Sequence, residues 1–370
     1  MGPRLRGDDD CRKCITMTTD PLPPAVNAEH ITTALRKSGV LGDGSVRDVD
    51  LENPRDTILS HIVRVKLTYD GAASGAPLSL FLKTARRDRL NPLWVAGRHE
   101  VAFYTQVASH IPAGLVPRCF DADWNAETNE WHLLLEDLTV THEPATIWPV
   151  PPTLEQCEII VGSLARVHAE WWDKPSLGVS VGVWLDADAL DRSRQTFSEH
   201  LAGFIDQYGD RIPVERRELF HRLLDAAPRL RQRYLSHCNV TIVHGDAHVW
   251  NCLLPRDTEG DNARFFDWDS WHIDVGSSDL AYMMAMHWYP DRRQRYERPL
   301  LDRYHEALLA HGVEGYDRRA LEDDYRLSVL LRTVTPVWQA ANNIPPLIWW
   351  NNLERIFLAV DDLGCRELLG

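Results

Sequence analysis

The order of patterns along this chain predicts an α+β fold in two lobes. A small antiparallel sheet carrying one helix comes first, and a larger, mostly helical part follows. Two observations carry this. Before residue 138 the patterns run strand, strand, strand, helix, strand, strand, an order that antiparallel pairing satisfies and a repeating βαβ unit does not. After Leu138 the Pro-rich connector THEPATIWPVPP opens a region in which apolar residues recur mainly at helical spacing.

Residues 1 to about 20 read as a disordered tail. A first lobe is expected over residues 21–138 and a second over 139–370. Asn27 is placed to cap a helix over Ala28 to Lys37, which Gly39 would stop. Val46 to Leu51, Ile58 to Tyr69 and Leu78 to Thr84 read as strands, with ENPRDTILS as the loop between the first two. Arg98 to about His110 shows helical spacing, and strands follow around Arg118 to Trp124 and Trp131 to Leu135. In the second lobe, helices are expected over Leu154 to Trp172, Ala187 to Tyr208 and Val214 to Ser236. Short strands are expected at Asn239 to Val243, Cys252 to Leu254 and Ala263 to Phe266. Helices resume near Ser278, with breaks near Pro290, Gly312 and Pro345.

Composition excludes several classes of function. The formal net charge of −14 disfavours a nucleic-acid partner, which needs a basic face. No run approaches the apolar length of a membrane span, and the polar start lacks the apolar region of a secretory signal, so the cytoplasm is the expected location. Cys11 and Cys14 form one CxxC in a charged tail, with no second pair to complete a zinc site. Lysine is scarce, at five residues, so a lysine inside an apolar strand is informative.

The chemistry-bearing run is VTIVHGDAHVWNCLL, residues 240–254. Strand-like residues lead into His244-Gly245-Asp246, and Asn251 follows Asp246 by five positions. This is the spacing of a kinase catalytic loop, in which the Asp accepts the proton of the substrate hydroxyl and the Asn holds a metal ion. Asp267 ends an apolar strand downstream, where a second oxygen ligand for Mg²⁺ belongs.

These residues, with Phe266-Asp267-Trp268, Gly276 to Ala281 (GSSDLA) and Leu164 to His168 (LARVH), resemble the aminoglycoside phosphotransferase and choline-kinase-like superfamily. The resemblance spans roughly residues 27 to 365. It implies a bilobal protein-kinase-like fold and transfer of the γ-phosphoryl group of ATP, with Mg²⁺, to a hydroxyl of a small molecule. It assigns Asp246 as the catalytic base and Asn251 and Asp267 as metal ligands. His244 and Asp279 become supports of the loop.

The same resemblance directs attention upstream, to a strand lysine paired with a helix glutamate that grips the nucleotide phosphates. Lys83 in LSLFLKT and Glu100 in RHEVAFY have the required order, and a lysine among apolar neighbours needs a counter-charge. LLLEDL, residues 133–138, reads as the hinge between lobes, with adenine against the backbone of Glu136, Asp137 and Leu138. One departure is plain: ENPRDTILS has no glycine to let backbone N–H groups approach phosphate, and Ser60 is the residue there that could contact it. Ser277, where relatives often carry Asp, is a smaller one.

Other readings stay open at this stage. A kinase fold that binds nucleotide without turnover is one. A metallohydrolase built on His244, Asp246 and His248 with Asp267, Asp269 and His272 is another. Asp186, Asp188, Asp191 and Asp206 could wall a pocket for a cationic substrate, while Trp250, Trp268, Trp271, Trp338, Trp349 and Trp350 suggest an apolar one, with at least half of these six expected in the core.

Overall fold

The computed structural model describes residues 24–57, 60–86, 96–257 and 262–370. The expected tail, and Ile58 as a strand start, lie outside them. Five strands form the first sheet: β1 (Ser45–Asp56), β2 (Ser60–Asp70), β3 (Ser79–Ala85), β4 (Cys119–Trp124) and β5 (Trp131–Glu136). Their order is β1-β2-β3-β5-β4, and every pairing is antiparallel.

Helix α1 (Ala28–Lys37) covers one face of this sheet. The Asn27 side chain caps it by accepting from His30 N–H. Ile31 and Leu35 pack on Val63, Val65, Leu80, Leu82 and Leu134 in a core of their own. Asp121 fixes the helix to the sheet edge, because one of its oxygens, Oδ2, lies 2.7 Å from His30 Nε2 and 2.6 Å from His132 Nε2. Helix α2 (Ala96–Gln106) covers the other face. Its Phe103 stacks on Trp268 with ring centroids 4.0 Å apart and joins the larger core that runs through the helical lobe.

One expectation about the sheet is corrected. The segment read as a loop, ENPRDTILS, is largely strand, since β1 continues to Asp56 across a register shift between Glu52 and Arg55. Asn53 absorbs the irregularity at φ +53°, a left-handed conformation that Asn tolerates better than most residues.

The second lobe contains β6 (His142–Pro144), α3 (Leu154–Trp171), α4 (Ala187–Tyr208), α5 (Val214–Leu230), α6 (Gln232–Leu235) and β7 (Thr241–Val243). Then come β8 (Cys252–Pro255), β9 (Arg264–Phe265), β10 (His272–Asp274) and α7 (Ser277–Leu280), which runs into a π-helical turn over Ala281–Met286. Helices α8 (Pro290–Ala310), α9 (Arg318–Arg332), α10 (Val334–Ala341) and α11 (Pro346–Asp362) complete it. The β7 and β10 strands pair, as do β6, β8 and β9 in that order. Thr153 opens α3 with a reciprocal capping box to Gln156. The helix expected over Val214 to Ser236 divides after Leu230. The strands β6 and β10 were not expected, because three residues are too few to show alternation. Among the described residues, no helix is long and apolar enough to cross a membrane.

Candidate active site

Lys83 lies on the middle strand of the sheet and is only 8% exposed. A buried ammonium must be paired, and its two partners come from distant parts of the chain. Glu100 Oε2 on α2 accepts from Nζ at 2.6 Å, and Asp267 Oδ1 accepts from it as well. Burial pulls the Lys83 pKa down, but the two carboxylates outweigh it and the net shift is upward. Burial would raise Asp267, yet Lys83 holds it below the usual carboxylate range. At Glu100, burial wins over Lys83 and the shift is upward. Asp267 itself has φ +68°, a costly conformation for Asp that surrounding structure must hold in place.

That structure is the loop after β7. Gly245 has φ +83°, and a Cβ there would sit 2.2 Å from the carbonyl oxygen of Ser270, so only glycine fits. Asp279 is fully buried and accepts from His244 N–H at 2.7 Å and Gly245 N–H at 2.9 Å. His168 Nε2 lies 3.2 Å from the same carboxylate, and its Nδ1 lies 2.7 Å from the Tyr304 hydroxyl. Burial raises the Asp279 pKa, but His168 and the loop amides outweigh it and bring it down to about 2. His244 sits between the loop and Asp267: its Nε2 is 2.9 Å from the carbonyl oxygen of Phe266, and its Nδ1 accepts from Asp246 N–H at 3.3 Å. Burial lowers the His244 pKa, which fits a neutral ring donating from Nε2 and accepting at Nδ1.

Asn251 Nδ2 donates to Asp246 Oδ2 at 2.9 Å and to the Asp246 carbonyl at 3.0 Å. A carboxylate only accepts, so the NH₂ must face Asp246, and the amide oxygen is the atom left for an ion. Asn251 and Asp267 therefore offer the neutral and anionic oxygen donors that Mg²⁺ prefers.

Around the remaining predicted residues the picture is mixed. Ser60 lines the cleft with Thr57, and the Thr57 hydroxyl lies 3.1 Å from the Ser60 hydroxyl and accepts from Ser60 N–H at 3.0 Å. In the hinge, the Asp137 carboxylate is taken up by Arg64 at 2.7 Å, by Ser79 at 2.5 Å and by Thr139. Glu136 Oε2 accepts from Arg118 N–H at 3.1 Å. Leu138 is buried, and its carbonyl accepts from Thr141 and His142 N–H. These hinge side chains and the Leu138 carbonyl are thus occupied within the protein.

Asp246, Asn251 and Asp267 open onto a cleft of about 1740 Å³. Three features of its walls bear on the open readings. Helix α4 lines it through Arg192, Phe197 and His200, whereas Asp186, Asp188, Asp191 and Asp206 do not line it. Asp186 instead caps the helix, and Asp191 pairs with Arg231 at 2.8 Å. Of the six tryptophans singled out, Trp250 and Trp338 line the cleft, while Trp268, Trp271 and Trp349 are core. Sequence reasoning missed Tyr282, His287, Arg332 and Arg355, all of which line it. Tyr282 rides on the π-helical turn, and Asp246 adds to burial in raising its pKa. Tyr282 and His287 lie on and just after the π-helical turn, and Arg332 and Arg355 on α9 and α11, places that carry no sequence signal of a cleft. The metallohydrolase arrangement is not formed: His244 has both ring nitrogens engaged within the loop. Among the described residues, the group of three such ligand atoms that does converge is His30, Asp121 and His132.

Residues 54–313 match the model of the ecdysteroid kinase-like family. The chain belongs to that family. The matched span holds Lys83, Glu100, Asp246, Asn251, Asp267 and Asp279 alike. Solved structures show the same kinase-like fold. A microcompartment-associated aminopropanol kinase aligns with TM-score 0.54 and 13% identity, covering 90% of this chain and 96% of that one. Choline kinase from Cryptosporidium parvum Iowa II gives 0.54 and 11%, covering 92% and 97%. The GDP complex of a mutant aminoglycoside 2'-phosphotransferase-IIIa gives 0.51 and 13%, covering 92% and 98%. No curated protein sequence matches this ecdysteroid kinase-like chain.

Proposed function

We propose that the protein transfers the γ-phosphoryl group of ATP to a hydroxyl of a bulky, largely apolar small molecule. The observation that carries this is Lys83, held on the sheet between Glu100 and Asp267, with Asp267 lining the same cleft as Asp246 and Asn251. In this reading residues 21–138 form the nucleotide lobe and residues 139–370 the acceptor lobe. Lys83 neutralises charge on the nucleotide phosphates, and Glu100 keeps it oriented. Ser60 and the backbone near Glu136 to Leu138 border the nucleotide. Asn251 and Asp267 would hold Mg²⁺, which supplies charge neutralisation on the phosphates when bound.

Asp246 receives the acceptor hydroxyl. As the substrate oxygen bonds to the γ-phosphorus, the bond from that phosphorus to the β-bridging oxygen breaks and ADP leaves. The hydroxyl proton passes to the Asp246 carboxylate. The Asn251 amide restrains Asp246 Oδ2, so the base is oriented before substrate arrives. Asp279 and His244 hold the loop, and little of their effect is chemical; positioning and charge account for most of the rate in this reaction class.

The cleft must also admit the nucleotide phosphates at Asp246, Asn251 and Asp267, and beyond them its lining by Trp148, Phe197, Trp250, Trp288, Tyr289 and Trp338 supports a bulky, apolar acceptor. The test is ADP release with Mg-ATP against a library of hydroxylated compounds, with mass spectrometry for the added phosphate. Turnover on a bulky alcohol that drops roughly 10²–10⁴-fold in Asp246→Asn, the usual weight of a general base, is the expected result. Nucleotide binding without turnover on any alcohol would make the protein a binding module instead.

A further inference from the structure

The acceptor side of the cleft is rich in donors that lack acceptors. Trp250 Nε1, Trp288 Nε1, Arg292 Nε and Arg355 Nε are buried atoms with no hydrogen-bond partner among the described residues, and all four residues line the cleft. An unsatisfied buried donor costs about 1–3 kcal/mol, and native structures keep few of them. These four atoms are walled in by the protein, so they mark donors left unmet beside the cleft, and the case for a ligand rests on the charges that line it.

The charges there agree. Arg192, Arg292, Arg295, Arg332 and Arg355 line the cleft, and among the described residues none of the five pairs with a carboxylate. This is unexpected in a chain of net charge −14, where carboxylates outnumber their partners. Aromatic faces hold two of these guanidiniums in place: Arg355 lies 4.3 Å over Tyr289, and Arg292 lies 4.6 Å over the adjacent Trp288. His287, next in the same segment, supplies no counter-charge. Burial, then His248, Arg355 and Arg332, push its pKa down to about 3, so it is neutral.

We infer that the acceptor molecule carries an anionic oxygen group, a carboxylate or sulfate, which docks on Arg355 and Arg292 while its hydroxyl faces Asp246. This rests on the kinase reading for the placement of the hydroxyl, and adds the charge of the substrate. It disfavours the polycationic acceptors that acidic pockets bind, because a cation there would face like charge.

The test compares three probes on one rigid hydroxylated skeleton: cholate, its methyl ester and the corresponding cholanyl amine. Calorimetric binding to the full chain is expected to favour cholate over the ester by about 10–100-fold, the worth of a charge-assisted bond, with the amine weakest. Arg355→Gln should bring cholate down to the affinity of the ester, and Arg355→Lys should keep part of the preference. Arg292→Gln provides a second variant if the first fails to fold. Equal affinity for cholate and its ester, tighter binding of the amine, or binding of none of the three overturns the inference. Because binding is read without turnover, a preference for cholate would survive failure of the kinase assignment, and turnover on an uncharged alcohol alone would sink the inference while sparing the kinase.

Discussion

The two sides of the cleft are built by opposite rules. On the phosphate side, the charged groups are matched within the protein: Lys83 with Glu100 and Asp267, Asp279 with the loop amides and His168, Asn251 with Asp246. On the acceptor side, Arg192, Arg292, Arg295, Arg332 and Arg355 have no carboxylate partner among the described residues, although Arg292 donates to the Pro152 carbonyl and Arg332 to Ser278. The first arrangement is formed before any ligand binds and is therefore pre-organised. The second carries cationic charge that an anionic ligand would neutralise. Substitutions on the phosphate side should cost rate and folding stability, and those on the acceptor side should cost affinity alone.

After Asp246→Asn, the largest expected effect is that of Lys83→Met. It removes a fixed charge from the reacting phosphates, a loss worth roughly 10²–10³-fold in kcat, and leaves Glu100 buried with no cation. Steady-state kinetics with a saturating alcohol would check it. A variant retaining wild-type kcat would break the comparison outright.

Asp279→Ala comes next, and its readout is stability. Two buried amides and a buried imidazole lose their acceptor at once, a change of about 3–5 kcal/mol for breaking a buried charged network. Denaturant unfolding should show the shift in midpoint. Asp279→Asn should recover only part, since one amide oxygen replaces two carboxylate oxygens.

How much of this was legible in the sequence follows the same division. His244-Gly245-Asp246, Asn251 and Asp267 were readable because a tight loop imposes spacing on the chain. Lys83 and Glu100 could be found because the family resemblance directs attention to a strand lysine and a helix glutamate, and the need of a buried lysine for a counter-charge agrees with it. Helix α4 matches its expected span to the last residue, Ala187–Tyr208, since its period is long and regular. The acceptor wall was not readable. Arg292 on α8, Arg332 on α9 and Arg355 on α11 meet only through tertiary packing, and an arginine on a helix looks the same in sequence whether it faces solvent or a cleft. An aspartate on a helix is equally ambiguous, and Asp186 and Asp191 turn out to serve the cap and an arginine outside the cleft. The glycine-free stretch from Glu52 to Asp56 resembles a loop in sequence because one left-handed residue, Asn53, carries the irregularity that lets β1 continue.

A third, smaller effect lies away from the cleft, at the link between α1 and the sheet. Hydrogen bonding from His132 overcomes burial, and with His30 lowers the Asp121 pKa to about 2. Asp in the unfolded chain titrates near about 3.9, so the native state binds the proton less readily. The clamp therefore contributes its full stability above about pH 4 and loses it as pH falls toward about 2. Asp121→Asn should flatten that part of the acid-unfolding curve while leaving kcat at neutral pH within about twofold, the margin expected of a change remote from the chemistry. An unchanged acid limb would show that the clamp does not tighten the fold.

The smallest effect on stability should come from Arg355→Met, and it is the sharpest test of the division. Arg355 has no ion-pair partner among the described residues, and its contact is the Tyr289 ring at 4.3 Å, worth about 0.5–1 kcal/mol at most in a partly exposed setting. Met keeps much of the apolar stem and removes a buried donor with no acceptor, which offsets part of that loss. Unfolding free energy should therefore move by less than about 0.5 kcal/mol, the range of substitutions that break no network. A loss of several kcal/mol would mean that Arg355 is a structural cation like Lys83, and the acceptor wall would then be as self-contained as the phosphate side.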